Sequence, residues 1–312
     1  MKAIVIDQYG DKEELKERNL SRPEPDTDEV LIKVQAAAVN PIDWKLRYGY
    51  LKEKFPFEFP IVLGWDAAGI IEKVGENVDT FQKDDRVFVR PELTNRGTYA
   101  EYTTAKAELL AKIPDNISFK EAAAVPLAGL TAYQCLFDVG DLDSAEKVLI
   151  HAGAGGVGSF AVQIAKNMGA YVATTASSKN VEFLKSLGAD EVVDYTKADF
   201  SQELEDYDLV VDTLGGEVQE KSFEVLKNGG KLVSIVEEPE QEKADQHGVE
   251  ADFHWLIPDG DELSLLAEMM EKEKLKPVVG STFPFTEQGL KDAHKLSETH
   301  HARGKIVIAI ND

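Results

Sequence analysis

Short apolar runs, separated by proline- and glycine-containing segments, characterise residues 1–122. Apolar runs of roughly four to eight residues bounded by such breakers are typical of β-strands. The pattern therefore predicts a β-rich domain with long loops between its strands. The predicted strands are Val30–Val34, Ala68–Val74, Asp85–Val89 and Tyr99–Tyr102.

The pattern changes after residue 122, where short apolar runs alternate with segments whose apolar positions recur every three or four residues. This alternation is typical of strand–helix–strand units that build a parallel sheet. We therefore predict an α/β fold for residues 123–259, with a doubly wound parallel sheet that binds a nucleotide. The predicted strands are Lys147–His151, Tyr171–Thr175, Glu191–Tyr195, Asp208–Asp212 and Lys231–Val236, and helices lie near residues 157–168, 180–187 and 218–226.

Beyond the last of these strands the pattern is less regular. Residues 237–243 are acidic and lack apolar periodicity, which predicts a solvated loop. Strands are predicted at Ala251–Ile257 and Val278–Phe283, with a helix over residues 261–275 between them. The apolar run Lys305–Ile310 predicts a final strand that returns to the N-terminal domain.

A glycine-rich turn follows the first strand of the predicted parallel sheet. The residues Gly153-Ala154-Gly155-Gly156-Val157-Gly158 directly precede a helix whose apolar residues share one face. Glycines here allow a tight turn, close approach of a pyrophosphate to backbone N–H groups, and close packing of helix on strand. The helix N-terminus adds N–H donors and the positive end of its dipole. The predicted cofactor residues are Gly153, Gly155, Gly156, Val157 and Gly158; a glycine-rich turn without a ligand is the alternative.

The type of dinucleotide is indicated about 20 residues further on, where NAD sites place an acidic residue against the ribose. This chain has Ser177-Ser178-Lys179 at that point. Two hydroxyl groups and an ammonium can bind the 2′-phosphate of NADP by charge-assisted hydrogen bonds. We therefore predict NADPH as the cofactor; a serine-rich helix cap is compatible with this role.

Composition and charge exclude several classes of partner. The formal net charge of −23 and the pI near 4.7 disfavour nucleic acid, which binds lysine- and arginine-rich surfaces. No apolar run approaches the roughly 18 residues that span a bilayer, so no membrane association is predicted. The N-terminus lacks the pattern of a signal peptide, which favours a cytoplasmic location. Cys135 is the only cysteine, so the chain can form neither an internal disulfide nor a cysteine-rich zinc lobe.

The whole chain resembles the zinc-independent quinone oxidoreductase-like branch of the medium-chain dehydrogenase/reductase superfamily. The resemblance implies a GroES-like catalytic domain, formed by residues 1–122 plus 260–312, and a Rossmann domain over residues 123–259. It also implies catalysis in a cleft between the two domains. The motifs that carry the resemblance are the glycine turn together with residues 39–45, 60–69, 126–133 and 302–305.

The resemblance also bears on zinc. Zinc-dependent relatives place a cysteine, a Gly-His-Glu motif and a second cysteine around the metal. This chain has Asn40, Gly64-Trp65-Asp66 and Ala128 at the matching positions. These residues cannot supply the nitrogen and sulfur ligands of a tetrahedral zinc site. We therefore expect no metal and no Lewis-acid route to alcohol oxidation.

The same resemblance implies roles for single residues, each with an ordinary alternative. Asn40 is a candidate for the substrate or nicotinamide neighbourhood, although it could simply form a turn before Pro41. Tyr48 and Trp65 are substrate-cleft candidates whose rings could stack on a flat quinone or pack in a core. Asp43 and Asp66 could cap loops or pair with Lys45. The predicted cofactor contacts further include Thr131, Tyr195, Leu214, Gly215, Val236 and Lys305.

Together these features predict an NADPH-dependent, zinc-independent oxidoreductase that transfers hydride to a quinone or to the activated C=C bond of an enone or alkenal. A zinc-free alcohol or carbonyl reductase and a nonenzymatic NADPH-binding redox sensor are the alternatives. Phe253, Trp255 and Ile257 alternate on one predicted strand. In the family this strand pairs with its twin, which predicts a homodimer.

Overall fold

The computed structural model describes residues 1–311, which form two compact units. The first unit joins Met1–Leu127 to the segment that begins at Pro258, and the second unit is Ala128–Ile257. The strands are β1 (Lys2–Ile6), β2 (Lys16–Asn19), β3 (Glu29–Val39), β4 (Ile61–Val62), β5 (Ala67–Val74), β6 (Arg86–Val89), β7 (Tyr102–Lys106), β8 (Leu110–Lys112), β9 (Lys147–Ile150), β10 (Tyr171–Ala176), β11 (Glu191–Asp194), β12 (Tyr207–Asp212), β13 (Leu226–Ser234), β14 (Glu250–Phe253), β15 (Val279–Pro284) and β16 (Lys305–Ala309). The helices are α1 (Pro41–Arg47), α2 (Phe119–Ala123), α3 (Pro126–Leu136), α4 (Gly156–Met168), α5 (Val181–Ser186), α6 (Phe200–Glu203), α7 (Gly216–Ser222), α8 (Gln241–His247), α9 (Gly260–Glu271) and α10 (Glu287–Glu298).

The first unit contains a three-stranded sheet in the order β2-β1-β4 and a seven-stranded sheet in the order β15-β16-β3-β5-β6-β8, with β7 paired to β3. The last strand, β16, pairs antiparallel with β3, so that Ile306 lies opposite Val39. Ile306, Val307 and Ile308 are all buried, which explains why this run is continuously apolar. The prediction that the C-terminal strand returns to the N-terminal domain is confirmed.

Helix α1 follows β3 without a loop and places the first candidate residues of the site. Asn40 is its N-cap residue, Pro41 occupies the first helical position, and Asp43 accepts a hydrogen bond from the backbone N–H of Asn40 at 2.8 Å. Proline tolerates this position because it needs no N–H donor there. Two roles were left open for Asp43, capping a loop or pairing with Lys45, and the structure shows the cap.

The second unit is built around a parallel sheet in the order β11-β10-β9-β12-β13-β14. All five neighbouring pairs are parallel. The strand order reverses direction between β9 and β12, as in the doubly wound nucleotide-binding folds. Helix α4 buries Phe160, Ile164 and Ala165 and ends at Gly169, whose φ of +96° suits glycine. The predicted doubly wound parallel sheet is confirmed.

Three predicted elements differ from the structure. The predicted solvated loop over residues 237–243 overlaps α8 (Gln241–His247), a short helix that buries only Ala244 and therefore lacks a visible apolar period. The predicted strand Ala251–Ile257 ends at Phe253, because the Gln134 side chain then binds the N–H and the carbonyl of Ile257 at 3.2 and 2.7 Å. The predicted strand Tyr99–Tyr102 is an isolated antiparallel bridge between Ala100 and Ala3, in which the Tyr99 carbonyl accepts a hydrogen bond from Ile4 N at 2.8 Å, and only Tyr102 belongs to a strand, β7.

Each helix within residues 1–311 is either too short or too polar to cross a membrane.

Candidate active site

The glycine-rich turn joins β9 to α4 in the second unit. A Cβ at Gly153 would lie 2.1 Å from Thr174 Oγ1, and one at Gly158 would lie 2.5 Å from the Ala152 carbonyl oxygen. Both glycines are therefore required for packing of the turn and helix on the sheet. A Cβ at Gly155 would meet only the Ala152 carbonyl oxygen, at 3.3 Å. Gly155 thus leaves an open approach to the first N–H groups of α4, which have no acceptors within the helix.

His151 lies buried beneath this turn. Its Nδ1 is 3.1 Å from Thr175 Oγ1 and its Nε2 is 2.9 Å from Ser222 Oγ. Burial lowers the pKa of His151 to about 4, so the ring is neutral at pH 7. The neutral ring, hydrogen bonded at both nitrogens, braces the turn.

Asp212 shapes the next loop along the same edge of the sheet. Its Oδ1 accepts hydrogen bonds from the N–H groups of Leu214 and Gly215, both at 2.9 Å. Its Oδ2 accepts from Ser234 Oγ at 2.8 Å and from Gln219 Nε2 at 3.1 Å. The buried carboxylate therefore holds the ends of β12 and β13 together. As a result the predicted cofactor residues Leu214, Gly215 and Val236 lie at the carboxyl ends of these strands, with Leu214 and Val236 exposed.

The predicted 2′-phosphate residues lie at the carboxyl end of β10. Ser177 precedes a single 3₁₀ turn that contains Ser178 and Lys179, and the side chains of both Ser178 and Lys179 are exposed. The Ser178 hydroxyl donates a hydrogen bond to Asp194, the last residue of the adjacent strand β11. Tyr195 follows Asp194 and is 55% exposed, so its ring is open to a ligand. The structure brings Ser178 and Tyr195 to one edge of the sheet, together with a carboxylate that the sequence reasoning missed.

In the first unit, Asn40 belongs to a fully buried ionic cluster. Its Nδ2 donates to Asp66 Oδ2 at 2.8 Å, and its Oδ1 accepts a hydrogen bond from Lys305 Nζ. Lys305 Nζ also lies 3.3 Å from Asp66 Oδ2 and 3.4 Å from the Val39 carbonyl oxygen. The ammonium and the carboxylate hold the Asn40 amide in one orientation, which leaves one of its two N–H groups for a further acceptor.

Lys305 is a buried member of this cluster. Its side chain is only 3% exposed. Its three N–H groups face the three oxygens of Asn40, Asp66 and Val39. Direct contact with a cofactor does not fit this arrangement, and Asp66 pairs with Lys305 instead of Lys45.

Asp43 connects this cluster to a longer series of hydrogen bonds. Asp43 Oδ2 accepts from Tyr99 Oη at 2.7 Å, and Tyr99 Oη lies 3.3 Å from His294 Nε2. His294 Nδ1 is 2.9 Å from Arg47 Nη1 and must accept, because a guanidinium can only donate. Arg47 Nη2 donates to Glu298 at 2.8 Å. Hydrogen bonds therefore run in one direction from Arg47 to Asp43.

Burial controls the charge of these groups. Desolvation raises the pKa of Asp43 to about 7 and also raises the pKa of Asp66, where Lys305 opposes the shift. Desolvation and the Arg47 charge lower the pKa of His294 to about 3, consistent with an imidazole whose Nδ1 only accepts. Asp43 is thus the group of this series whose charge changes near neutral pH.

The remaining predicted residues occupy different environments. Tyr48 is half-buried, stacks on the exposed Tyr50 with centroids 5.4 Å apart, and lies under the Arg47 guanidinium at 4.5 Å. Trp65 is fully buried in the core of the first unit and packs near Phe57. The prediction that Trp65 stacks on substrate therefore does not fit its position. In the second unit Thr131 lies within α3, 5% exposed, so it does not cap that helix.

The donor set does not fit zinc. At the positions that match the metal ligands of zinc-dependent relatives, an amide, an indole and a carboxylate replace cysteine, histidine and glutamate, and Lys305 hydrogen bonds to two of them. An ammonium that hydrogen bonds to these oxygens competes with a metal ion for them. Across residues 1–311, no three His, Cys, Asp or Glu side chains are grouped so that they could bind one metal ion.

Tyr99, Arg47 and Asp194 are residues of the candidate site that were not predicted from the sequence. Tyr99 and Arg47 meet Asp43 and His294 only through contacts that span 56 and 247 positions of the chain. No local pattern signals such pairs. Asp194 could have been suspected from the sequence, because it lies near the end of a predicted strand of the parallel sheet. The parallel pairing of Ala176 with Asp194 brings this acidic residue beside Ser177.

Comparison with known proteins was made at two levels. Matches to protein families identify the class of protein, and individual relatives then identify the family. Residues 26–115 match the alcohol dehydrogenase GroES-like domain and residues 187–308 match the zinc-binding dehydrogenase family. These matches and the sheets of the two units define a two-domain dehydrogenase with a GroES-like domain and a Rossmann domain, as predicted.

Individual relatives narrow this class. The chain is 38% identical over 321 residues to an NADPH-dependent alkenal/one oxidoreductase of Arabidopsis thaliana, covering 99% of this chain and 79% of that protein. The structure of a quinone oxidoreductase from Coxiella burnetii superposes with a TM-score of 0.92 at 36% identity, covering 99% of both chains. An Escherichia coli quinone oxidoreductase complexed with NADPH superposes with a TM-score of 0.89 at 27% identity, covering 99% of this chain and 100% of that one. The chain belongs to the quinone oxidoreductase-like branch of the medium-chain dehydrogenase/reductase superfamily.

Proposed function

We propose that this protein is an NADPH-dependent oxidoreductase that transfers hydride, without zinc, to a quinone or to the activated C=C bond of an enone or alkenal. The observation that carries the proposal is the glycine-rich turn. Gly153 and Gly158 pack α4 against β9 and Gly155 leaves the helix N-terminus open, which is the arrangement that a pyrophosphate requires. The names of the relatives from Arabidopsis thaliana and Coxiella burnetii support the substrate class.

When bound, the reduced nicotinamide supplies the hydride. The protein supplies orientation and a polar environment prepared in advance. Reduction of an enone or a quinone places negative charge on a carbonyl oxygen, which a fixed N–H donor stabilises. We assign this donor role to the free N–H of Asn40. Lys305 and Asp66 hold the amide in place, so its orientation costs nothing during the reaction.

Turnover by the purified protein tests the function. Absorbance-monitored NADPH oxidation is measured with a quinone, a 2-alkenal and an aldehyde, each before and after dialysis against a chelator. We expect turnover with the quinone or the 2-alkenal, and no change after dialysis.

Other outcomes identify the alternatives. Turnover with the aldehyde alone would indicate a carbonyl reductase, and NADPH binding without any turnover would indicate a sensor. Loss of activity on dialysis would contradict the zinc-free mechanism.

The proposal also includes a homodimer and a cytoplasmic location. β14 is the edge strand of the six-stranded sheet, and Ile257, a few residues beyond it, is 66% exposed. An unpaired edge beside an exposed apolar residue favours pairing with a second copy. Analytical ultracentrifugation tests this: a monomer at micromolar concentration would contradict the dimer. The cytoplasmic location rests on the sequence alone.

A further inference from the structure

The candidate 2′-phosphate site contains a carboxylate that is already bound to one of its hydroxyl groups. Asp194 ends β11 directly beside the end of β10, and the Ser178 hydroxyl donates its hydrogen bond to Asp194 Oδ2. Asp194 Oδ1 accepts from Thr196 Oγ1 at 2.7 Å and from Thr196 N at 3.1 Å. Lys197 Nζ lies 2.9 Å from Oδ2. Asp194 therefore has four partners of the kind that a phosphate group would also bind.

A serine hydroxyl has one proton to donate. While Ser178 donates that proton to Asp194, it offers a phosphate oxygen only lone pairs. A phosphate oxygen in hydrogen-bond contact with Ser178 Oγ would also lie about 4 to 5 Å from the carboxylate, given ordinary hydrogen-bond lengths. The two negative groups repel each other at that distance.

Protonation does not relieve this conflict near neutral pH. The hydrogen bonds from Ser178, Thr196 and Lys197 hold the pKa of Asp194 well below its usual range. The carboxylate is therefore ionised whenever a nucleotide approaches. It also engages Lys197, which is otherwise an exposed cation suited to a phosphate.

We infer that Asp194 is a specificity-determining residue that opposes the 2′-phosphate, so that this protein prefers NADPH over NADH less strongly than it would without the Asp194 carboxylate. Asp194 competes with the 2′-phosphate for the Ser178 proton and for Lys197. NADH lacks that phosphate and leaves these bonds intact. The inference rests on the proposed nucleotide-binding function and adds a residue that controls its selectivity.

The test is the affinity of Asp194→Asn for the two nucleotides, measured by calorimetry with the full-length protein. Asparagine keeps an oxygen for Thr196 but removes the negative charge. We expect the dissociation constant for NADPH to fall about tenfold and that for NADH to stay within about twofold. NADH thus serves as a control for folding and for the shape of the site.

Asp199→Asn is the matched control variant. Asp199 accepts from Ser201 N at 3.1 Å and from Ser201 Oγ at 3.0 Å, and it pairs with Lys221 at 2.7 Å. It thus copies the environment of Asp194 apart from the contact with Ser178. We expect this variant to leave the NADPH/NADH affinity ratio unchanged.

Ser178→Ala completes a double-mutant cycle. Alone it should change NADPH affinity by less than about twofold, because Asp194 already holds the hydroxyl proton. In the double variant with Asp194→Asn, the gain in NADPH affinity should be smaller than the tenfold gain of Asp194→Asn alone. An unchanged or lowered preference for NADPH in Asp194→Asn would overturn the inference while leaving the proposed function intact. Failure of the parent protein to bind either nucleotide would overturn both.

Discussion

At the scale of single residues, the first unit buries several charged side chains away from water. Asp43, Asp66, Arg47 and Lys305 are each no more than 3% exposed, and each has a charged or polar partner. Buried ions are tolerated only when such partners replace the lost hydration. These residues therefore respond strongly to any change of charge, whether by pH or by substitution.

Asp43 predicts a pH-dependent stability. Its pKa rises from 3.8 to about 7 on folding, so its neutral form is favoured in the folded state. The stabilisation is complete below the unfolded value and is lost as pH rises through the folded value. The difference in unfolding free energy between the parent and Asp43→Asn should therefore fall by up to about 1.4 kcal/mol per pH unit toward neutrality. Urea unfolding of both proteins from about pH 5.5 to about pH 8 measures it. Parallel pH profiles would show that Asp43 does not titrate in this range.

Substitution of Lys305 should lower the stability of the protein in a different way, by removing the counter-ion of Asp66. Lys305→Met removes the ammonium and leaves the Asp66 carboxylate buried without its cation, which should cost about 3 to 5 kcal/mol of stability. The double variant Lys305→Met, Asp66→Asn should recover much of that loss, because position 66 then carries no charge that needs the ammonium. Urea unfolding measures both effects. Equal stabilities of the single and double variants would contradict a role for Lys305 as the counter-ion of Asp66.

At the scale of secondary-structure elements, the glycines of the turn before α4 have two different roles. Gly153 and Gly158 are needed for packing, and Gly155 leaves the helix N-terminus open to a ligand. A methyl group at Gly158 meets the Ala152 carbonyl oxygen at 2.5 Å and the Gly153 Cα at 2.6 Å, so the helix must move away from the sheet. At Gly155 the only contact is at 3.3 Å, and φ is −79°, which alanine adopts readily.

Two alanine substitutions test this separation. Gly158→Ala should lose about 2 kcal/mol or more of unfolding free energy, as expected of an overpacked core. Gly155→Ala should keep its stability within about 1 kcal/mol and lose NADPH affinity by about tenfold or more, since the methyl group covers the approach to the helix N-terminus. Unfolding and calorimetry on both variants measure these quantities. Loss of stability in both, with equal affinities, would refute the assignment of Gly155 to the ligand.

Elements with a long apolar period were predictable, and short elements were not. The strands of the parallel sheet and α4 follow local periodicity, whereas α8 buries a single alanine and carries none. In the candidate site, the glycine turn between β9 and α4 and the place of Ser178 at the end of β10 could be predicted because both depend on neighbours in sequence. The partners of Asn40 were not, because Lys305 reaches it across 265 positions and is identified only by tertiary packing.

At the scale of the whole molecule, the net charge of −23 acts on every anionic ligand. A nicotinamide dinucleotide is itself anionic and must approach through this field, which salt screens.

We therefore expect the association rate constant for NADPH to rise between about 0.02 and 0.3 M salt, the reverse of the behaviour of a basic binding site. Stopped-flow fluorescence measures the rate, and an uncharged quinone serves as the control, with no salt dependence of its own. A rate that falls with salt would place a strong local positive field at the cofactor site.

The pairing of β16 with β3 has a consequence for how the protein is made. Residues 29–39 are translated before the second unit, yet the strand that lies beside them, residues 305–309, is translated only after it. The first unit therefore stays incomplete while the second unit is made, whereas the contiguous second unit can acquire its sheet as soon as its own residues have appeared. Deletion of β16 should therefore damage the unit that was begun first.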